Sequence, residues 1–187
     1  LVATVIGTVT ALAVKHMKPV SKNIFMGISN IPMLNADIVT GISLMLAYIA
    51  FGISLGFKTV LISHITFNIP YVILSVMPKL KQTDRSTYEA ALDLGASPAY
   101  AFFQVVFPDI MPGVLSGFLL AFTMSLDDFI ITHFTKGAGI NTLSTLIYSE
   151  VRRGIKPSMY ALSTVIFVAV LALLLISNFA PKKKQES

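Results

Sequence analysis

Two adjacent carboxylates, Asp127 and Asp128, sit inside the apolar run from Gly113 to Thr135 of a chain with only nine acidic residues among 187. An ionisable side chain deep in a bilayer costs about 3 kcal/mol or more, so such acids face a cavity, a water path or a partner. Neighbouring helix positions are about 100° apart, so the two cannot share one direction. Asp128 falls on a stripe with Ser125, Thr132 and Thr135, while Asp127 flanks it near Thr123 and Leu120. Two readings stand. Asp128 first, and Asp127 beside it, line a pathway for a cation, or one or both are held by backbone groups or by a basic residue on another helix. A paired-carboxylate site suits a cation with spaced ammonium groups, held between acids and aromatic faces such as Phe122, Phe129 or Tyr148. In the segment 59–77, Asn68 and Pro70 lie near the middle; the proline either frees a carbonyl to line the pathway or makes a plain kink.

Other chemistries find no support. His64 and His133 lack the spacing of metal ligands and read as hydrogen-bonded helix residues, and His16 belongs to a basic connection. No nucleophile, base and orienting group occur together, so catalysis within the chain is not expected. The run Gly52-Ile53-Ser54-Leu55-Gly56-Phe57-Lys58-Thr59 lacks the glycine directly before lysine that a phosphate loop requires, and reads as a connection between apolar segments. With no cysteine, disulfides and thiolate metal sites are excluded.

The elements that must carry these residues are membrane helices. The chain is 55% hydrophobic and 12% charged, with a mean hydropathy of +0.77, which predicts an all-α polytopic membrane protein. Segments near the required length of about 20 residues are 34–57, 59–77, 113–135 and 159–180, with 1–14 as the tail of a span whose start lies outside the sequence. That amounts to about four and a half spans in one transmembrane domain, 1–187. The net charge of +5 does not point to nucleic acid, because lysine and arginine cluster between and after the apolar runs. Putting Lys15, Lys18, Lys22, Lys79, Lys81, Arg85, Lys182, Lys183 and Lys184 inside leaves Lys58, Lys136, Arg152, Arg153 and Lys156 outside. This choice assigns residues 79–112 and the C-terminus to the cytoplasm.

That cytoplasmic stretch has its own design. Ser86-Thr87-Tyr88-Glu89 fits a capping box and predicts a helix beginning near Thr87. Gly95 stands where a helix ends in a left-handed conformation, and Ser97-Pro98 restarts one. Pro108 and Pro112 are expected to close the second helix before the next span. Ala90 and Ala91 give the first helix a small-residue face, and Glu89 and Asp93 lie on an adjacent charged face. A solvated loop helix and a docking helix both fit these features.

The pattern Glu89-Ala90-Ala91, three residues, Gly95, nine residues, Val105-Val106-Phe107-Pro108 resembles the EAA loop of permease subunits in binding-protein-dependent ABC importers. Val105 and Phe107 stand where that family carries isoleucine and leucine. The segments IPMLNADIVTGIS (31–43), HITFNIPYV (64–72), SLDDFIITHF (125–134) and NTLSTLIYSEVRRGIKPSMYALST (141–164) are similar to the second permease subunit of spermidine/putrescine importers, with departures at Asn35 and Asp37.

The resemblance implies the type I ABC permease fold of six spans, with residues around Glu89, Ala90, Ala91, Asp93 and Gly95 forming a coupling helix that sits in a groove of a separate ATP-binding subunit. It implies no cofactor in this chain, with ATP and Mg on a dimer of ATPase partners. It further implies a second homologous permease, an extracytoplasmic polyamine-binding protein facing 136–158, and a bacterial inner-membrane location. ATP-driven closure of the partners would pull the coupling helix, and the bend at Gly95 would pass the movement to the span carrying Asp128. The pathway residues expected are Asp128, Asp127, Ser125, Thr132 and Asn68. Two alternatives remain open: an importer of another small substrate, such as a metal ion or a cationic vitamin, and an ATP-independent ion or proton pathway through the two acids.

Overall fold

The computed structural model describes residues 1–154 and 157–179, and every regular element among them is helical. The chain divides into two units, Leu1–Ser144 and Thr145–Ser187.

In the first unit, α1 (Val2–Lys15) and α4 (Phe57–Gln82) pack together with α7 (Phe107–Asp127) around Val14, Val72, Ile73, Val76, Leu80 and Ile110. Two glycines allow this close approach. A Cβ on Gly7 of α1 would lie 2.7 Å from Val72 Cβ, and one on Gly117 of α7 would lie 3.3 Å from Val72 Cα, so Val72 is pressed between two bare helix faces. At 26 residues, α4 is long and apolar enough to cross a bilayer, and so is the run Pro98–Asp127.

The region before α4 differs from the sequence reading. Pro19 starts a 16-residue helix, α2 (Pro19–Leu34), where a basic connection was expected. Asn35 and Ala36 are extended, and the chain turns by 106° into α3 (Asp37–Ala50). The segment 34–57 is therefore not one helix. With 14 residues, α3 rises about 21 Å, short of the roughly 30 Å hydrocarbon core. It ends because Gly52 adopts φ +67° and the Ile53 N–H turns back to the Tyr48 carbonyl at 2.8 Å. Together α2 and α3 are apolar enough for one broken crossing. The glycine-containing run 52–59 is the connection into α4, where the Thr59 hydroxyl bonds both the Gly56 carbonyl (2.7 Å) and the Thr135 carbonyl (2.8 Å).

After α4 comes α5 (Arg85–Asp93), then α6 (Pro98–Ala101), a π turn (Phe102–Val106) and α7. The prolines at 108 and 112 do not close a separate helix, as the sequence suggested; α6, the π turn and α7 form one continuous rod. Pro108 has no N–H, and its ring would crowd the carbonyl four residues back. Widening to an i→i+5 bond, Phe107 N–H to the Phe102 carbonyl, lets the helix continue. At the far end the segment 113–135 breaks. α7 stops at Asp127, Asp128 is extended with ψ 117°, and a short α8 (Ile130–Thr135) follows. Gly41 of α3 packs on α8, where an added Cβ would meet Phe134 at 3.2 Å.

The second unit contains most of α9 (Leu143–Arg153), in which the Arg152 guanidinium lies 6.0 Å from the Tyr148 ring centre, and α10 (Pro157–Phe179). Lys156, Ala180, Lys182, Lys183 and Lys184, used in the topology and span assignments, lie outside the described residues.

Candidate functional site

The break between α7 and α8 determines what Asp128 does. Its carboxylate accepts from the Ile131 N–H (3.1 Å), the Thr132 N–H (2.8 Å) and the Thr132 hydroxyl (2.7 Å), satisfying donors that the start of α8 leaves open. Its carbonyl accepts the Ser144 hydroxyl at 2.6 Å. His64 reaches in from α4, with Nε2 2.8 Å from Thr132 Oγ1 and 3.4 Å from Asp128 Oδ2, and Nδ1 2.7 Å from Ser125 Oγ. The His64 and Asp128 side chains are only 12% and 7% exposed.

Counting donors orders the protons. Thr132 has one hydroxyl hydrogen and gives it to Asp128, so its oxygen must accept from His64 Nε2–H. On its other side the ring meets the Ser125 hydroxyl through Nδ1. The chain of hydrogen bonds runs Ser125, His64, Thr132, Asp128, and ties α7, α4 and α8 together.

Asp127 has a different environment. It is exposed and lines a cavity of about 340 Å³ with Asp37, Phe67, Asp128 and Phe129. Neither the Asp37 nor the Asp127 carboxylate has a hydrogen-bond or ion-pair partner among the described residues. Asn68 is 2% exposed and donates to the His64 carbonyl at 2.7 Å, while its amide oxygen accepts no hydrogen bond among the described residues. It lines a second cavity, of about 410 Å³, with His64, Ser125, Phe118 and Phe122.

The expected pathway residues are thus brought together in part. Ser125, Thr132 and Asp128 share one network, Asn68 lies one turn along α4, and Asp127 faces the acidic cavity. Tyr148 belongs to the other unit. His64 as partner to Asp128, and Asp37 as a third acid, were not in the sequence reading. His64 and Asp37 lie 64 and 91 residues before Asp128, and no local pattern joins them.

At the other end of the rod, α5 spans the EAA residues. Its cap is Asp84 rather than Ser86: the Asp84 carboxylate accepts the Ser86 N–H at 2.9 Å and begins the helix two residues before the position expected from the capping box. That backbone bond, with the Ser86 side chain, holds the Asp84 pKa below the ordinary carboxylate value. Gly95 adopts φ +89°, and the Ala96 N–H returns to the Ala91 carbonyl at 3.1 Å. Ser97 caps α6 through the Tyr100 N–H. Glu89, Ala90, Asp93 and Gly95 are exposed, Ala91 is half-buried, and Leu94 beside them is 89% exposed.

Residues 3–182 match the family described as binding-protein-dependent transport system inner membrane component. The chain belongs to that family. Among the curated relatives, it is 39% identical over 175 residues to the putrescine transport system permease protein PotI of Escherichia coli (strain K12), covering 90% of this chain and 62% of the relative. It is 38% identical over 181 residues to the spermidine/putrescine transport system permease protein PotC of Haemophilus influenzae, covering 97% and 70%. The PotC homolog of Mycoplasma pneumoniae is 37% identical, with 95% and 63% covered. The chain therefore spans a little under two thirds of the length of PotI. Membership in this inner-membrane family agrees with the all-helical fold and its apolar rods, and the EAA residues and Gly95 sit together on and just after α5.

Proposed function

We propose that the chain is the transmembrane permease subunit of a binding-protein-dependent ABC importer that moves polyamines, spermidine or putrescine, into the cytoplasm. The observation that carries this reading is the cavity edged by Asp37, Asp127 and Asp128 with the rings of Phe67 and Phe129, in a family whose relatives are named for putrescine and spermidine transport. Carboxylates attract ammonium groups, and aromatic faces accept the charge without competing as donors. Asp127 and Asp37 are available for this task; Asp128 already serves α8, and contributes its charge to the cavity rim.

Energy comes from ATP and Mg on a dimer of separate ATPase subunits, into which α5 docks through Ala90, Ala91 and the exposed Leu94. The rod from Pro98 to Asp127 would carry displacement of α5 to the acidic break. A second homologous permease completes the pathway, and an extracytoplasmic polyamine-binding protein delivers the substrate. Residues 79–112 and the C-terminus face the cytoplasm.

The test is uptake of radiolabelled putrescine and spermidine into proteoliposomes holding the full-length subunit with its ATPase, permease and binding-protein partners. The reading requires uptake that depends on ATP and on the binding protein. Uptake of neither polyamine, by a complex that hydrolyses ATP, would transfer the reading to another substrate; flux without the ATPase would favour an ion pathway.

A further inference from the structure

A third cavity, of about 350 Å³, lies at the α5 end of the bundle. Leu12 of α1, Leu80 of α4, and Phe102 and Val106 of the π turn form its apolar walls, and Tyr88 of α5 stands across from them. Since α5 packs on α6 and the π turn, this cavity is the gap between α5 and the ends of α1 and α4.

Its level in the bilayer follows from α4. A helix of 26 residues rises about 39 Å, more than the roughly 30 Å hydrocarbon core, and its last turn carries Lys79 and Lys81. Leu80, between those lysines, therefore stands where acyl chains meet headgroups. The last turn of α1, with Lys15, ends at the same cavity.

Two opposite charges line this cavity without meeting. Lys15 is half-buried and Asp84 exposed, and neither makes an ion pair among the described residues. The Tyr88 hydroxyl is likewise without a partner among them. Asp84 accepts the Ser86 N–H, and a carboxylate with about four lone-pair sites has room for a further donor. His16, the other titratable side chain on the wall, has Nδ1 3.0 Å from the Leu12 carbonyl.

These walls call for an occupant that is apolar along one part and carries both an anion and a cationic N–H donor on the other. A free phosphate would leave the apolar walls uncovered. A phosphatidylglycerol would satisfy Lys15 but set its charge beside Asp84 with no cation between them, and a choline headgroup has no N–H to give. We propose that the cavity holds one phosphatidylethanolamine molecule of the surrounding leaflet: an acyl chain against Leu12, Leu80, Phe102 and Val106, the phosphate on the Lys15 ammonium and the Tyr88 hydroxyl, and the headgroup ammonium on Asp84. Lys15 belongs to α1, whereas Asp84 and Tyr88 belong to the cap and first turn of α5. The bound lipid therefore ties α5 to the bundle and stabilises that arrangement by mass action. The inference concerns α5 rather than the cargo, and stands or falls apart from the polyamine reading.

The test uses the full-length subunit in its assembled membrane complex, delipidated and given back phosphatidylethanolamine, phosphatidylcholine or phosphatidylglycerol with identical acyl chains. Native mass spectrometry counts the lipid retained. The wild type should prefer phosphatidylethanolamine to both others. Lys15→Gln should weaken its binding about tenfold, the scale of one hydrogen bond to a charged group. Asp84→Asn, which still caps α5, should bring phosphatidylethanolamine down to the level of phosphatidylcholine. In nanodiscs, amide exchange over 85–93 should be several-fold slower with phosphatidylethanolamine than with phosphatidylcholine, a difference that Lys15→Gln removes. A purely structural role for Lys15 and Asp84 would leave the lipid preference unmoved. Equal retention of the three lipids by the wild type, or undiminished phosphatidylethanolamine binding by assembled Lys15→Gln, overturns the site. So does a complex that retains no lipid, which would mean that another chain fills the cavity. Should Lys15→Gln fail to assemble, Lys15→Arg is expected to keep the preference and Asp84→Asn to lose it, and any other pattern overturns the proposal.

Discussion

Asp84 and Gly95 frame α5, and each makes a prediction that depends on one residue. The Asp84 carboxylate is stabilised in its charged form by the Ser86 N–H, so its folded pKa lies below its unfolded one. Such a group contributes stability above the unfolded value, and the contribution is lost as pH falls through the folded value. Amide exchange over 85–93, corrected for its intrinsic pH dependence, should therefore accelerate below about pH 4. Asp84→Ala should show the same loss of protection at neutral pH, and Asp84→Asn, which still caps, should not. At Gly95 a φ of +89° is strained for any residue with a Cβ, at about 1–2 kcal/mol for an L-residue in left-handed geometry. Gly95→Ala is expected to lower ATP-coupled uptake several-fold. Gly27→Ala, inside α2 with nothing within 4 Å of the added methyl, should be neutral or slightly stabilising, by up to about 1 kcal/mol. Uptake assays and thermal unfolding in detergent check the pair. The left-handed glycine and the Ser97-Pro98 restart were legible because turn chemistry is local. The cap was misplaced by two residues because Asp84 and Ser86 are both good caps, and only the folded chain shows which carboxylate or hydroxyl meets an open N–H.

At the scale of elements, the outcome turns on breaks. Hydropathy marks the apolar segments but cannot see where a run of apolar residues bends: 34–57 became a bent approach and a 14-residue helix, and 113–135 became α7, a break and α8. The reason at 128 is visible in retrospect. Asp128 followed by Ile131 and Thr132 can trade one turn of helix for three bonds to its carboxylate. The π turn was equally hidden, since the sequence shows Pro108 but not whether the chain will widen or stop. Helix packing makes a further prediction at Val72, where α1, α4 and α7 converge on Gly7 and Gly117. Gly7→Val would force atoms within 2.7 Å of Val72 Cβ, and overpacking of this kind costs about 1–3 kcal/mol. Its melting temperature in detergent should fall, whereas Val72→Ala in the same background should recover part of the loss by making room.

At the scale of the whole molecule, the first unit places α5 and the acidic break at the two ends of one helical rod, residues 98–127. Charge clustering, apolar segments and the EAA spacing were enough to indicate a membrane permease. The candidate site was less legible, because it is assembled from α3, α4, α7 and α8: Asp37 and the contact of His64 with Asp128 carry no local signal, and the Asp128 carboxylate is taken up by the start of α8. On the proposed polyamine reading, cation recognition falls to Asp127 and Asp37, and Asp128 serves the architecture. The most direct measurement is ATP-driven putrescine uptake by the assembled importer carrying Asp127→Asn, with Asp37→Asn alongside. A raised putrescine KM, about tenfold for loss of one charged hydrogen bond, in complexes that assemble normally is the predicted result. Wild-type uptake by both variants would contradict it, and would mean that polyamine passes this subunit by a route that the acidic cavity does not line.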